Sequence, residues 1–156
     1  MPARKAYPLV LFTSLFTAFM TAGLAVQAQS VKTSRMTSTA IEWNSVEVKT
    51  NATGSSRKFF EGPTATLDLL ECHASTLNPG ATNHIVLERP HDEVIIVQAG
   101  TIEAFVKDKW VRIGPGSVIF NAAHMPQSMR NPGTVPASYH VISFSPAAAP
   151  QPAAQK

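Results

Sequence analysis

The chain has 156 residues, a one-domain length, with 44% hydrophobic and 15% charged residues, as in an ordinary globular protein. The formal charge of +3 is near neutral once Arg4 and Lys5 of the first segment are set aside, and no basic stripe remains to neutralise phosphates, which argues against nucleic acid as a partner. Cys72 is the only cysteine, so an intramolecular disulfide is excluded.

Arg4 and Lys5 precede an uncharged apolar stretch from Pro8 to Val26, followed by Val26-Gln27-Ala28 with small residues at −3 and −1. This pattern predicts a signal peptide over 1–28, cleavage after Ala28, and export to the periplasm or beyond, with no stable membrane span after cleavage. The rival reading is a membrane anchor, since the stretch approaches the length of about 20 residues that spans a bilayer. Its Thr and Ser content and the polar residues after Val26 favour the signal peptide.

Residues 29–40 are polar and patternless and read as a linker. Residues 146–156 are Ala, Pro and Gln with one Lys; they cannot bury apolar surface and read as a disordered tail. The body, 41–145, reads as strands broken by turns. Ala65 to Leu77 is a long extended stretch ending at Asn78-Pro79-Gly80, a strong turn signal. Val94 to Val97 is β-branched. Thr101 to Val106 alternates, with Ile102, Ala104 and Val106 on one side, and turns at Lys107-Asp108. Trp110 to Ile113 and Ser117 to Phe120 are short and separated by Gly114-Pro115-Gly116. Ala137 to Phe144 sets Tyr139, Val141 and Ser143 against His140, Ile142 and Phe144. No segment keeps a 3.6-residue period over ten residues, and short, evenly spaced strands predict an all-β sandwich or small barrel.

Between Leu77 and Phe144 the chain resembles the cupin superfamily. The first cupin motif runs G-x5-H-x-H-x(3–4)-E-x6-G; here Gly80 opens it, and Glu93 to Gly100 matches E-x6-G. The second runs G-x5-P-x-G-x2-H-x3-N; here Gly116 opens it, and Gln127-Ser-Met-Arg-Asn131 closes it. The resemblance covers about half of the chain beyond the signal peptide and implies a double-stranded β-helix, the jelly-roll barrel. In the family the two motifs meet inside the barrel and bring two histidines, the glutamate and the later histidine to one divalent metal. That ligand set suits Fe, Mn, Ni, Cu or Zn.

This chain departs from the pattern at the ligands. The two early His positions fall on Leu87 and Arg89, or on Val86 and Glu88, according to the spacing used. The later one holds Gln127, the motif's proline is Ala122, and its second glycine is His124. Glu93 alone of the four ligands remains. No cofactor is therefore expected. An inward carboxylate without a metal must find a cation or shift its pKa upward, and Arg89 is a candidate cation.

A substitute metal site is the alternative. His91 and Glu93 share a strand face, His84 lies in the same loop, and Gln127 offers an amide oxygen. His73 and His140 lie on strands and could face the cavity. His124 reads as exposed, and Trp43, Trp110, Phe59 and Phe60 read as core or barrel-lid residues.

Three functions stay open. The first is a module binding a small organic ligand through Arg89, Glu93 and Gln127. The second is a metal-dependent enzyme of dioxygenase, isomerase or decarboxylase type using His84, His91, Glu93 and Gln127. The third is a structural or interaction protein of the envelope. A homodimer paired through its sheets is compatible with all three.

Overall fold

The computed structural model describes residues 34–147. They form a 3-10 turn, Trp43–Ser45, and nine strands: β1 Lys49–Asn51, β2 Gly54–Gly62, β3 Leu67–Leu77, β4 Asp92–Ala99, β5 Ile102–Val106, β6 Lys109–Ile113, β7 Val118–Asn121, β8 Ser128–Arg130 and β9 Ala137–Pro146. All pair antiparallel. A six-stranded sheet runs β1-β2-β3-β9-β4-β7, and a three-stranded sheet runs β6-β5-β8.

Alternation in sequence becomes alternation in burial. Tyr139, Val141 and Ser143 point inward from β9, as do Ile95 and Val97 from β4 and Ile119 from β7. Ile102 and Ala104 of β5 and Met129 of β8 meet them from the opposite sheet and close the core. The all-β jelly-roll reading holds.

Two turns show how local chemistry sets the register. Lys107 and Asp108 adopt φ of 50° and 60° in the two-residue loop between β5 and β6, the hairpin geometry that matches strand twist. Gly100, the closing glycine of the first motif, has φ 74°, and a Cβ there would lie 2.7 Å from the Ala137 backbone. The glycine is required both by conformation and by this close approach.

Asn131 closes the second motif, and its role is structural. It is buried, its Nδ2 donates to the carbonyls of Leu77 (3.0 Å) and Val135 (2.8 Å), and its Oδ1 accepts from Gly133 N–H at 2.9 Å. It ties the end of β3 to the loop before β9.

Some boundaries differ from the sequence reading. Met36, in the predicted linker, donates its N–H to Pro63 O at 2.7 Å, so the segment is fastened at the end of β2. β9 runs through Pro146, the first residue of the predicted tail, because that residue still pairs with Leu67. The signal peptide, its cleavage site and residues 148–156 lie outside the described residues. Among the described residues no helix is long and apolar enough to cross a membrane.

Candidate functional site

The register places one polar row across the inner face of the large sheet. Glu71 on β3 faces Ser143 on β9, Ser143 faces Glu93 on β4, and Glu93 faces Asn121 on β7. Directly opposed residues share a sheet face, and Ser143 and Asn121 are buried, so the row points inward.

Glu93 Oε1 has two partners. His91 Nε2 lies 3.3 Å away, and Ser143 Oγ donates to it at 3.4 Å. The His91 and Glu93 side chains are 16% and 13% exposed, so the pair sits at the rim of the cavity and remains in reach of solvent. Arg89 forms no ion pair with Glu93. His91 takes that place as a hydrogen-bonding neighbour: it lies two residues before Glu93, and its ring reaches the carboxylate directly.

Gln127 is only 3% exposed. It is held by two backbone bonds to Leu87, of 3.1 and 2.9 Å, and its Oε1 accepts from Asn121 Nδ2. The segment leading to it is clasped by the entry to β4. Asp92 Oδ1 accepts from Ala123 N–H at 2.7 Å, and Arg89 O accepts from His124 N–H at 2.7 Å. Gln127 Nε2 and Arg89 Nε are buried donors without a protein partner. Buried donors of this kind are costly unless something accepts from them.

The structure thus brings Glu93, His91 and, through Asn121, Gln127 to one inner wall. It does not bring His84 there. The His84 ring lies 2.7 Å from Ile85 O, and its own carbonyl accepts from Ser128 Oγ, which holds the loop against β8. His73 faces inward beside Glu71, at 3.2 Å. His140 faces outward, stacked on Phe59 and edge-on to Trp43, and burial lowers its pKa, helped by His73. His124 is exposed at φ 60°, keeping the backbone shape of the glycine it replaces.

Ser143, Asn121 and Glu71 belong to the site and were not singled out from sequence. The signal for Ser143 was its phase with Tyr139 and Val141. Tyr139 forms the floor beneath them; burial, above all, pushes its phenol up to about 12.

The donor set does not fit a cupin metal. Leu87 offers no donor, Arg89 offers only N–H groups, and the Gln127 oxygen is engaged by Asn121. Among the described residues no three His, Cys, Asp or Glu side chains converge as an ion would require.

Residues 74–143 match the family model of the cupin domain. The chain carries a cupin domain. Solved structures agree on the fold. An RmlC-like cupin from Shewanella frigidimarina matches with a TM-score of 0.57 at 16% identity, covering 72% of this chain and 92% of that one. The polyketide cyclase RemF from Streptomyces resistomycificus matches at 0.57 and 13% identity, over 72% and 83%. The cupin domain of an XRE family transcriptional regulator from Enterobacter cloacae matches at 0.51 and 21% identity, over 58% and 95%. No curated protein matches the sequence. These cupins include an enzyme and a part of a regulator, so the shared fold does not choose a chemistry.

Proposed function

We propose that the protein is an exported cupin that binds a small organic molecule in its barrel without a resident metal. Glu93 and His91 would hold a hydroxyl or other donor of that molecule. Gln127 Nε2 and Arg89 Nε would donate to its carbonyl or carboxylate.

The observation that carries the reading is Gln127: it is almost fully buried, its oxygen is spoken for, and its amide N–H groups have no acceptor in the protein. An acceptor on a ligand would relieve that cost.

The test is a thermal-shift screen of small carboxylic and hydroxylated compounds on wild type and on Glu93→Gln and Gln127→Leu variants. A ligand that binds the native state raises the melting temperature, and both variants should abolish the rise. A hit that survives both substitutions would place the site elsewhere. The export part of the proposal rests on the leader pattern and is tested by N-terminal sequencing of protein from the cell envelope. Gln29 should be first; retention of Met1 would favour the anchor.

A further inference from the structure

The outer face of the large sheet, turned away from the barrel interior, has a hollow of its own. Cross-strand pairing sets Arg57, Ala74 and His140 in one outward row and Ser55, Thr76 and Ser138 in the next outward row. On β4 a bulge between Val97 and Ala99 leaves Gln98 out of the ladder beside Ser138. Trp43 of the 3-10 turn folds over this end of the face. Its ring centre lies 5.7 Å from that of Phe59 and 6.0 Å from that of His140, and the Arg57 guanidinium carbon lies 4.9 Å from it. Trp43, Ser55, Arg57, Thr76, Gln98 and Ser138 together line a cavity of about 180 Å³, with the buried Ala74 also in its wall.

The charge of this cavity is one-sided. Arg57 is half-buried and brings a guanidinium, and no Asp or Glu lines the space. Glu42, next to Trp43 in the chain, is turned onto its own turn, accepting from Asn44 Nδ2 at 3.2 Å and Ser45 N–H at 3.0 Å. Among the described residues Arg57 has no ion-pair partner. Its Nη1 donates to the carbonyls of Trp43 at 3.2 Å and Val46 at 2.7 Å, so the two hydrogens of that nitrogen are spent on the turn. Nε and Nη2 are left. These two form the side of the guanidinium that grips a planar carboxylate through parallel hydrogen bonds. Further donors stand close by: no side-chain hydrogen bond among the described residues uses the Ser55, Thr76 or Ser138 hydroxyl or the Gln98 amide.

We propose that this outer cavity binds a small organic carboxylate. Arg57 would pair with the carboxylate through Nε and Nη2, the hydroxyls of Thr76 and Ser138 would donate to its oxygens, and the Trp43 ring would cover its carbon part. One guanidinium matches one negative charge. A cation would be repelled, a neutral amide would forgo the ion pair, and a phosphate dianion would carry a second charge with no partner in the wall. The site lies on the opposite face of the sheet from Glu93 and Gln127, and the inference is independent of the ligand proposed for the barrel.

The test is an NMR titration of the folded protein with acetate, propionate and benzoate, each beside its neutral isostere acetamide, propionamide or benzamide, and with inorganic phosphate. At least one carboxylate should give saturable amide shifts at Ser55, Arg57, Thr76 and Ser138, and its isostere should not. Arg57→Gln should weaken that binding about tenfold, the worth of one hydrogen bond between charged groups. Because Arg57 also ties down the turn, Thr76→Val is the second variant: it keeps the side-chain shape, removes one neutral donor and should weaken binding about threefold. Glu93→Gln and Gln127→Leu should leave these shifts unchanged, so either site can fail while the other stands. No saturable shift with any of the three carboxylates, an isostere or phosphate binding as tightly, or binding insensitive to both Arg57→Gln and Thr76→Val would each overturn the assignment.

Discussion

His91, the residue just before β4, and Glu93 within it meet across 3.3 Å, so the one carboxylate kept from the cupin metal pattern is answered by an imidazole two residues before it in the chain. The residues around it support the following expectations.

Metal content should be substoichiometric in the wild-type protein after dialysis, because imidazole is absent at all three histidine positions of the motif. The triple variant Leu87→His, Arg89→His, Gln127→His should bind a divalent transition metal. Residues 87 and 127 bridge directly, residue 89 is two positions further on, and Glu93 supplies the fourth ligand. Elemental analysis after identical purification decides it; a folded triple variant without metal would refute the alignment of these positions.

Gln127→Leu alone should destabilise by about 1–3 kcal/mol, because Asn121 Nδ2 loses its acceptor inside the protein. Adding Asn121→Val should recover most of that loss, since the buried polar pair is then gone altogether. Urea unfolding of the two variants gives the comparison, and additive losses would show that the pair is not coupled.

His124→Gly should stabilise by about 0.5–1 kcal/mol. A side chain at φ 60° is strained and glycine is not, although the freedom of glycine in the unfolded chain offsets part of the gain. The backbone bond from His124 N–H to Arg89 O is kept in the variant. A loss of stability would mean that the imidazole makes a contribution of its own.

Protonation of His140 should weaken the fold. Its ordinary pKa is 6.5 and its native value is lower, through burial and then through His73. Well above 6.5 the ring is neutral whether the chain is folded or not. As pH falls below 6.5, the unfolded chain takes a proton that the native state refuses, so stability declines until pH passes the native value. His140→Phe keeps an aromatic ring beside Phe59 and Trp43 and should flatten this part of the curve of melting temperature against pH. Equal slopes for the two proteins would remove His140 as a source.

Much of the barrel was legible in the sequence because its strands alternate cleanly. β5, β6, β7 and β9 follow the apolar phase within a residue or two, and the two motif glycines fix where they turn. β2 was not legible. Its inner positions are Ser56, Lys58 and Glu61, and a bulge between Lys58 and Phe60 breaks the period. β8 is three residues long, too short to show a period, and is recognised only through its pairing with β5. At the site, motif spacing found Glu93 and Gln127. It missed Ser143, Asn121 and Glu71, since what joins them is cross-strand register, which depends on pairings between residues far apart in the chain.

The bulge has a further consequence for the length of the chain. Phe59 is the extra residue: Lys58 faces His73, Phe60 faces Cys72, and Glu61 faces Glu71. A chain lacking Phe59 would pair Lys58, Phe60 and Glu61 with the same three partners in an unbroken ladder. Deletion here, unlike deletion elsewhere in β2, should spare every inward-facing side chain. It would remove only the ring that stacks on His140 and contacts Trp43, and straighten the strand.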